Sequence, residues 1–311
     1  MTVVLFHYQA PPALARRLVD LKAEGIDVSI VDPEDAAGLA AALPATEVLW
    51  HVLAPADAAL IAAAPKLRLI QKWGVGLNTI DLDAARARGI RVANMPGTNS
   101  RAVAELSLLL MLACLRRLYA VETGFRDGRW APPADVMAGL GELAGRRVGL
   151  VGMGAVPMLL APIVGAMGAE AVYWSRTEKP GVPARWLELD ELLATSDIVS
   201  LHLPLTPDTQ DLVDIGKLKR GAILVNTARG GLVDEGRLYE ALAAGRIAAA
   251  GLDVFAEEPV PTDRPLLQLP NVTVTPHLAW LTAETLERSL AVAVENVRRL
   301  QAGEALRFAC A

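Results

Sequence analysis

Short apolar blocks recur along the chain, with stretches of helical period between them. VVLFHY (3–8) reads as a strand, and PALARRLVDLKAEG (12–25) has helical spacing that ends at glycine. VSIVD (28–32), EVLWHVL (47–53), LRLIQKW (67–73) and IRVANMP (90–96) read as further strands. Apolar runs of this length between helices predict buried parallel strands, in a first unit that ends near residue 100.

A second series begins at RRVGLVG (146–152). It continues through AEAVYWSR (169–176), IVSLHLP (198–204), KLKRGAILVNTA (217–228), GRLYEALAAGRIAAAGLDVF (236–255) and NVTVTPHLA (271–279). Strands and helices alternate again, so the expected class is α/β with two doubly wound parallel sheets. Residues 101–121, RAVAELSLLLMLACLRRLYAV, predict one helix that could bridge the two series, and 126–145 a long loop. ETLERSLAVAVENVRRLQAG (284–303) predicts a long amphipathic helix ending near Gly303, its apolar face packed on one or both domains.

Size and charge narrow the classes. A chain of 311 residues and 33.0 kDa suits two domains better than one. With 53% hydrophobic and 21% charged residues it is a folded protein. A net charge of −5 gives no broad attraction for nucleic acid or anionic membrane. The two cysteines, Cys114 and Cys310, make neither a metal pattern nor a disulfide scaffold, and Cys114 in LSLLLMLACL is expected to be buried. The opening MTVVLFHYQAPP lacks the pattern of a signal peptide, so a cytoplasmic location is expected. Val148–Ala169 carries no charge, and a spanning helix needs about 20 such residues. Five glycines and prolines crowd its first half (Gly149, Gly152, Gly154, Pro157, Pro162), and it splits into a strand and a helix, so no membrane span is expected.

At that split lies VGMGAVP (151–157). A strand running into a glycine turn and then a helix is the context a dinucleotide fingerprint requires. Gly152 would permit the tight turn, and Gly154 would let backbone approach a pyrophosphate at the helix N-terminus. Proline stands at 157 where a third glycine is usual, and Pro162 lies one turn further on, so a kink or a late helix start is expected. Alone, the two glycines fit an ordinary turn as well. The end of the next strand has Ser175, Arg176 and Thr177 in place of the usual ribose-binding acid. They could grip a 2′-phosphate, which favours NADP(H) over NAD(H), with NAD(H) kept as the alternative. Otherwise Arg176 simply faces water.

Three strand ends in the second series carry ionisable groups: Arg229 in NTARGG, Glu258 in FAEEP and His277 in VTPHLAW. In an open parallel sheet such ends share one edge, where ligands bind. An arginine can hold a carboxylate by two bonds. A protonated histidine can give a proton to a forming alkoxide, and a glutamate can orient it. The set suits hydride transfer at a secondary alcohol or ketone beside a nicotinamide. Other readings stay open: a structural histidine, Glu257 or Asp253 as its partner, Arg229 as a corner cap. In the first series Gly74-Val75-Gly76 could bind a small anion through backbone amides. It could equally be a plain turn, with Asn78 and Asp81 as cap or turn residues of the helix DLDAARARG.

Together KWGVGLNTID, NMPGTNSRAVAELSLLLML, GELAGRRVGLVGMG, SLHLPLTPDT, LVNTARGGLVDEGRL, AAAGLDVFAEEP and NVTVTPHLAW resemble the D-isomer-specific 2-hydroxyacid dehydrogenase family, in its order and over most of the chain after residue 65. The resemblance implies a flavodoxin-like substrate domain, 1–98 completed by the C-terminal helix region 282–311, and a Rossmann-type nucleotide domain, 99–281. It implies a site in the cleft, closure on binding and a homodimer. By motif it makes Arg229 the carboxylate arginine, His277 the acid/base and Glu258 its partner. Val75 and Gly76 resemble the backbone anchors of the substrate carboxylate. Asn99, Gly152, Gly154, His202, Pro204, Thr227 and Asp253 match positions beside the cofactor, with Ser175, Arg176 and Thr177 replacing the acid. That replacement resembles members using NADPH to reduce glyoxylate or hydroxypyruvate. Trp280 either walls the substrate pocket or belongs to the core. A small 2-oxo or 2-hydroxy acid is the expected partner, with no metal. Alternatives are a dinucleotide-sensing corepressor-like protein, a formate- or phosphite-type dehydrogenase, and a cofactor site spoiled by the two prolines.

Overall fold

Each apolar block of the first series becomes a strand with a helix after it. The computed structural model describes residues 1–310. The elements are β1 (Thr2–His7), α1 (Pro12–Asp20), β2 (Ile26–Val31), α2 (Ala36–Ala42), β3 (Val48–His51), α3 (Ala58–Ala63), β4 (Leu69–Lys72), α4 (Leu82–Ala87) and β5 (Arg91–Ala93). All pairings are parallel, in the order β2-β1-β3-β4-β5. Prolines at 11 and 12 start α1 without needing amide partners, and Gly25 at φ 82° ends the short turn after it. Asp35, Asp57 and Asp81 cap α2, α3 and α4, each accepting a backbone N–H at 2.8–2.9 Å. Phe6, Trp50 and Ile70 are fully buried at the centre, where each such side chain contributes roughly 1.5–3 kcal/mol.

The C-terminal helix (Ala283–Ala302) belongs to this unit, which comprises Met1–Asn99 and the segment from Leu281 onward. Buried Asn296 on that helix donates to Gln71 Oε1 at 2.6 Å, which fixes it against β4. Gly303, at φ 71°, ends it.

Ser100–Trp280 form the second unit. It opens with α5 (Ser100–Leu115), α6 (Leu118–Arg126) and α7 (Ala134–Ala138). The single helix expected over 101–121 is therefore broken, and the expected loop contains a short helix. No glycine or proline marks the break. It is made by tertiary contacts: Gly141 N–H donates to Leu115 O at 2.8 Å, and Arg117, at φ 46°, lays its guanidinium where a Cβ on Gly139 would be.

The second sheet contains β6 (Arg147–Val151), then α8 (Ala155–Ala166), β7 (Glu170–Trp174), β8 (Arg185–Trp186), α9 (Leu189–Thr195), β9 (Ile198–Leu201), β10 (Ile223–Asn226), α10 (Glu235–Ala243), β11 (Ala249–Leu252) and β12 (Val272–Val274). Its order is β12-β11-β10-β9-β6-β7-β8, parallel throughout, which meets the α/β expectation. Strand order reverses at β6, so the carboxyl ends of β6 and β9 form a switch-point crevice. Helix α8 starts at Ala155, directly after Gly154, so the late start expected from the prolines does not occur. Pro157 is a third-position residue, where no intrahelical bond is lost, and Pro162 sits exposed inside the helix. Among the described residues no helix is long and apolar enough to cross a membrane. Cys114 is buried, and burial pushes its thiol up to about 12.

Candidate active site

The candidate residues of the second unit stand along the carboxyl edge of its sheet. After β10 the chain turns on Asn226, whose amide donates to Arg229 O at 2.8 Å and accepts from Ala228 N–H at 3.0 Å. The residue after Arg229 must be glycine. A Cβ at Gly230 would lie 1.9 Å from the Phe255 carbonyl carbon, so the NTARGG loop and the loop after β11 pass in backbone contact. That approach brings Arg229 beside Glu258. Burial lowers the pKa of the guanidinium, and the Glu258 charge opposes the shift.

Glu258 folds back on its own loop. Oε1 accepts the Phe255 N–H at 2.9 Å, and Oε2 lies 2.6 Å from His277 Nδ1. A carboxylate only accepts, so Nδ1 carries the proton and Nε2 is the ring's other, exchangeable face. Burial pushes the Glu258 carboxyl up. The bond and charge of His277, the Phe255 amide and the Arg229 charge outweigh it and hold the carboxyl below its usual value.

His277 has φ 55°, in the left-handed region. What holds it there is Asp253, fully buried at the end of β11. Its Oδ1 accepts from Thr275 Oγ1 at 2.5 Å and Leu278 N at 2.8 Å, its Oδ2 from Ala279 N at 3.0 Å, and its carbonyl from His277 N at 2.8 Å. Burial raises the Asp253 pKa against those bonds. The sequence places Asp253 beside a cofactor, and the structure shows its carboxylate engaged by the histidine loop. Trp280 is buried, with its indole N–H on His277 O at 3.1 Å.

The glycine turn lies on the same edge. Gly152 has φ 102°, and a Cβ there would come 2.4 Å from His202 O, so the His202–Pro204 turn abuts it directly. Burial lowers the His202 pKa to about 3, and its Nε2 pairs with Ser200 Oγ at 3.0 Å, which makes it a neutral fixture. Gly154 differs: a Cβ there would meet nothing within 4 Å. Open room above the first turn of α8, whose amides have no intrahelical acceptor, fits a dinucleotide pyrophosphate.

At the end of β7, Ser175 is buried and donates its hydroxyl to Thr177 O at 2.7 Å, while Arg176 and Thr177 are exposed. Lys179 was not foreseen. Its Nζ donates to Met153 O at 2.8 Å, inside the glycine turn. A second cation three residues after Arg176 was the available signal. Thr227 is buried, with its hydroxyl 2.9 Å from Ser107 Oγ. Arg229, Glu258 and His277 are thus gathered, with Thr227, Asp253, Gly152, Gly154 and His202, at strand ends of one sheet. Val75, Gly76 and Asn99 lie in the first unit. There Val75 is exposed, with its carbonyl accepting from Asn94 Nδ2 at 3.0 Å.

Comparison with known proteins returned consistent matches. The family model described as "D-isomer specific 2-hydroxyacid dehydrogenase, NAD binding domain" matches residues 108–279. The chain is 42% identical over 312 residues to the D-3-phosphoglycerate dehydrogenase of Mycobacterium tuberculosis, covering 98% of this chain but only 58% of that protein's length. It is 39% identical over 258 residues to the glyoxylate reductase of Korarchaeum cryptofilum, covering 80% of this chain and 78% of that one. The crystal structure of a Thermus thermophilus protein superposes with a TM-score of 0.88 at 39% identity, covering 100% of both chains.

Proposed function

The chain belongs to the D-isomer-specific 2-hydroxyacid dehydrogenase family, and from that premise we propose that it reduces a small 2-oxo acid to the D-2-hydroxy acid with a nicotinamide dinucleotide. The observation that carries the reading is the 2.6 Å pair of His277 Nδ1 and Glu258 Oε2, with Arg229 charge-coupled to the same carboxyl. The bound dinucleotide supplies the hydride. Arg229 holds the substrate carboxylate, and Trp280 walls the pocket. His277 Nε2 delivers a proton to the carbonyl oxygen as the carbon is reduced, so one C=O bond becomes one alcohol. Glu258 holds the ring in the proton-donating orientation. The glycine turn, His202, Pro204, Thr227 and Asp253 would hold the dinucleotide.

NADP(H) is the preferred cofactor. The support is the cationic end of β7: Arg176 exposed, Lys179 tethered to the glycine turn, and no acid before Glu178. Arg176→Ala should lower kcat/KM with NADPH and leave that with NADH nearly unchanged.

Glyoxylate and hydroxypyruvate are the preferred substrates, in keeping with the reductase relatives. A second reading, D-3-phosphoglycerate as substrate, is favoured by the 42% identity to the mycobacterial enzyme. The deciding experiment follows nicotinamide absorbance with glyoxylate, hydroxypyruvate, pyruvate, phenylpyruvate and 3-phosphoglycerate, each with both cofactors. No turnover on any of them would sink the enzymatic reading, and dinucleotide binding without turnover would favour a sensor.

The working form is a homodimer formed through the second unit. Leu109, Leu118, Tyr119, Phe125, Trp130 and Met137 are apolar and roughly half or more exposed, Trp130 at 88%. Apolar exposure of that extent favours a covering partner.

A further inference from the structure

The loop after β11 carries two acids side by side, and the structure sends them opposite ways. Glu258 pairs with His277. Glu257 turns outward and pairs with Arg264 at 2.6 Å. Arg264 also stands 3.7 Å from Glu235 Oε2, and Glu235 Oε1 accepts the Ala256 N–H at 2.5 Å. The Glu235 side chain is only 13% exposed, which sets it apart from the surface ion pairs that water screens.

Glu235 is the first residue of α10. Asp234 fixes that turn by accepting from Gly236 N and Arg237 N at 2.8 and 3.0 Å. Five residues earlier, a Cβ on Gly230 would lie 1.9 Å from the Phe255 carbonyl carbon and 2.2 Å from Ala256 N. One stretch of chain, 230–235, therefore grips the Phe255–Ala256 peptide twice, by contact at Gly230 and by a hydrogen bond at Glu235. Phe255 is the residue whose N–H holds Glu258 Oε1. Through Arg264 the same Glu235 also reaches Glu257, the neighbour of Glu258. Both residues that lead into Glu258 are thus tied to one shielded carboxylate.

We propose that Glu235 is a positioning residue, which stakes the 255–258 loop so that the Glu258 carboxylate stays aligned on His277 Nδ1. The inference rests on the reading of His277 and Glu258 given above. A displaced Glu258 leaves the imidazole free to turn, and proton delivery falls steeply when the donor is misaligned. Holding the substrate carboxylate and the dinucleotide falls to other groups, so the loss of Glu235 should appear in kcat.

The test is a double-mutant cycle in the full chain, with glyoxylate and NADPH, or with the acid and cofactor of the panel above that wild type turns over fastest. Glu235→Ala should lower kcat roughly 10-fold, the weight of one hydrogen bond to a charged group. KM for the acid should stay within about 2-fold of wild type. Glu235→Gln keeps an oxygen for the Ala256 amide and should recover most of the loss. In a Glu258→Gln background, Glu235→Ala should cost less than about 2-fold further, because the group it positions is gone. Glu235→Asp, one methylene too short to reach Ala256, replaces the alanine variant if that one does not fold, as judged by circular dichroism. An unchanged kcat in Glu235→Ala, or an equal loss with and without the Glu258 carboxylate, overturns the inference alone. Failure of wild type on every acid of the panel overturns the underlying reading and this inference together.

Discussion

His277 occupies a backbone region that costs a non-glycine residue on the order of 1–3 kcal/mol, and the four acceptor contacts of Asp253 offset that cost. Holding the residue by its loop and its ring by Glu258 leaves Nε2 as the atom proposed to deliver the proton. His277→Asn should therefore cut kcat by ~10²-fold or more while the melting temperature barely moves; steady-state kinetics beside a thermal melt would check both. The two carboxyls have opposite linkage to pH. Glu258 has a folded-state pKa below its ordinary value, so its ionisation stabilises the fold above that ordinary value, and the stabilisation is lost as pH falls through the lowered one. Asp253 is raised, so its contribution is present at low pH and lost as pH rises through the raised value. Melting temperatures taken downward from about pH 4 should fall for wild type, and less steeply for Glu258→Gln.

At the scale of elements, glycines two residues apart do different things. Gly152 has a positive φ and a neighbouring backbone oxygen where its Cβ would go, whereas Gly154 has neither. Gly152→Ala should lose roughly 1–3 kcal/mol of stability and bind dinucleotide poorly. Gly154→Ala should keep wild-type stability yet bind dinucleotide more weakly, because the new methyl projects into the room a pyrophosphate would use. Equal dinucleotide affinity in Gly154→Ala and wild type would contradict that placement. Pro162 deprives α8 of one internal bond, to Met158 O, and lies exposed. Pro162→Ala should raise the melting temperature by a few degrees, about what 1 kcal/mol yields in a domain of this size.

For the whole molecule, the apolar face of α5, α6 and α7 makes association the expected state. Light scattering should give twice 33.0 kDa, and replacing Phe125 and Trp130, whose rings lie 6.1 Å apart, with glutamate should return the monomer mass. Retained dimer in that double variant would move the interface elsewhere.

Strand positions and the α/β class were legible because buried parallel strands need unbroken apolar runs, and local composition alone decides where those fall. NTARG, FAEEP and TPH were legible as motifs because they lie in the stretch that matches the family. Other features depend on which distant backbones come to lie together. Gly139 and Gly141 break the helix after Leu115, and Gly230 admits the Phe255 backbone. Asp253 turns inward to hold the histidine loop, and Lys179 reaches back to Met153. No local pattern encodes such meetings, since a hydrogen bond between remote segments is selected by packing. The sequence by itself settled which residue types stand at the strand ends; only the tertiary structure decided which of them touch.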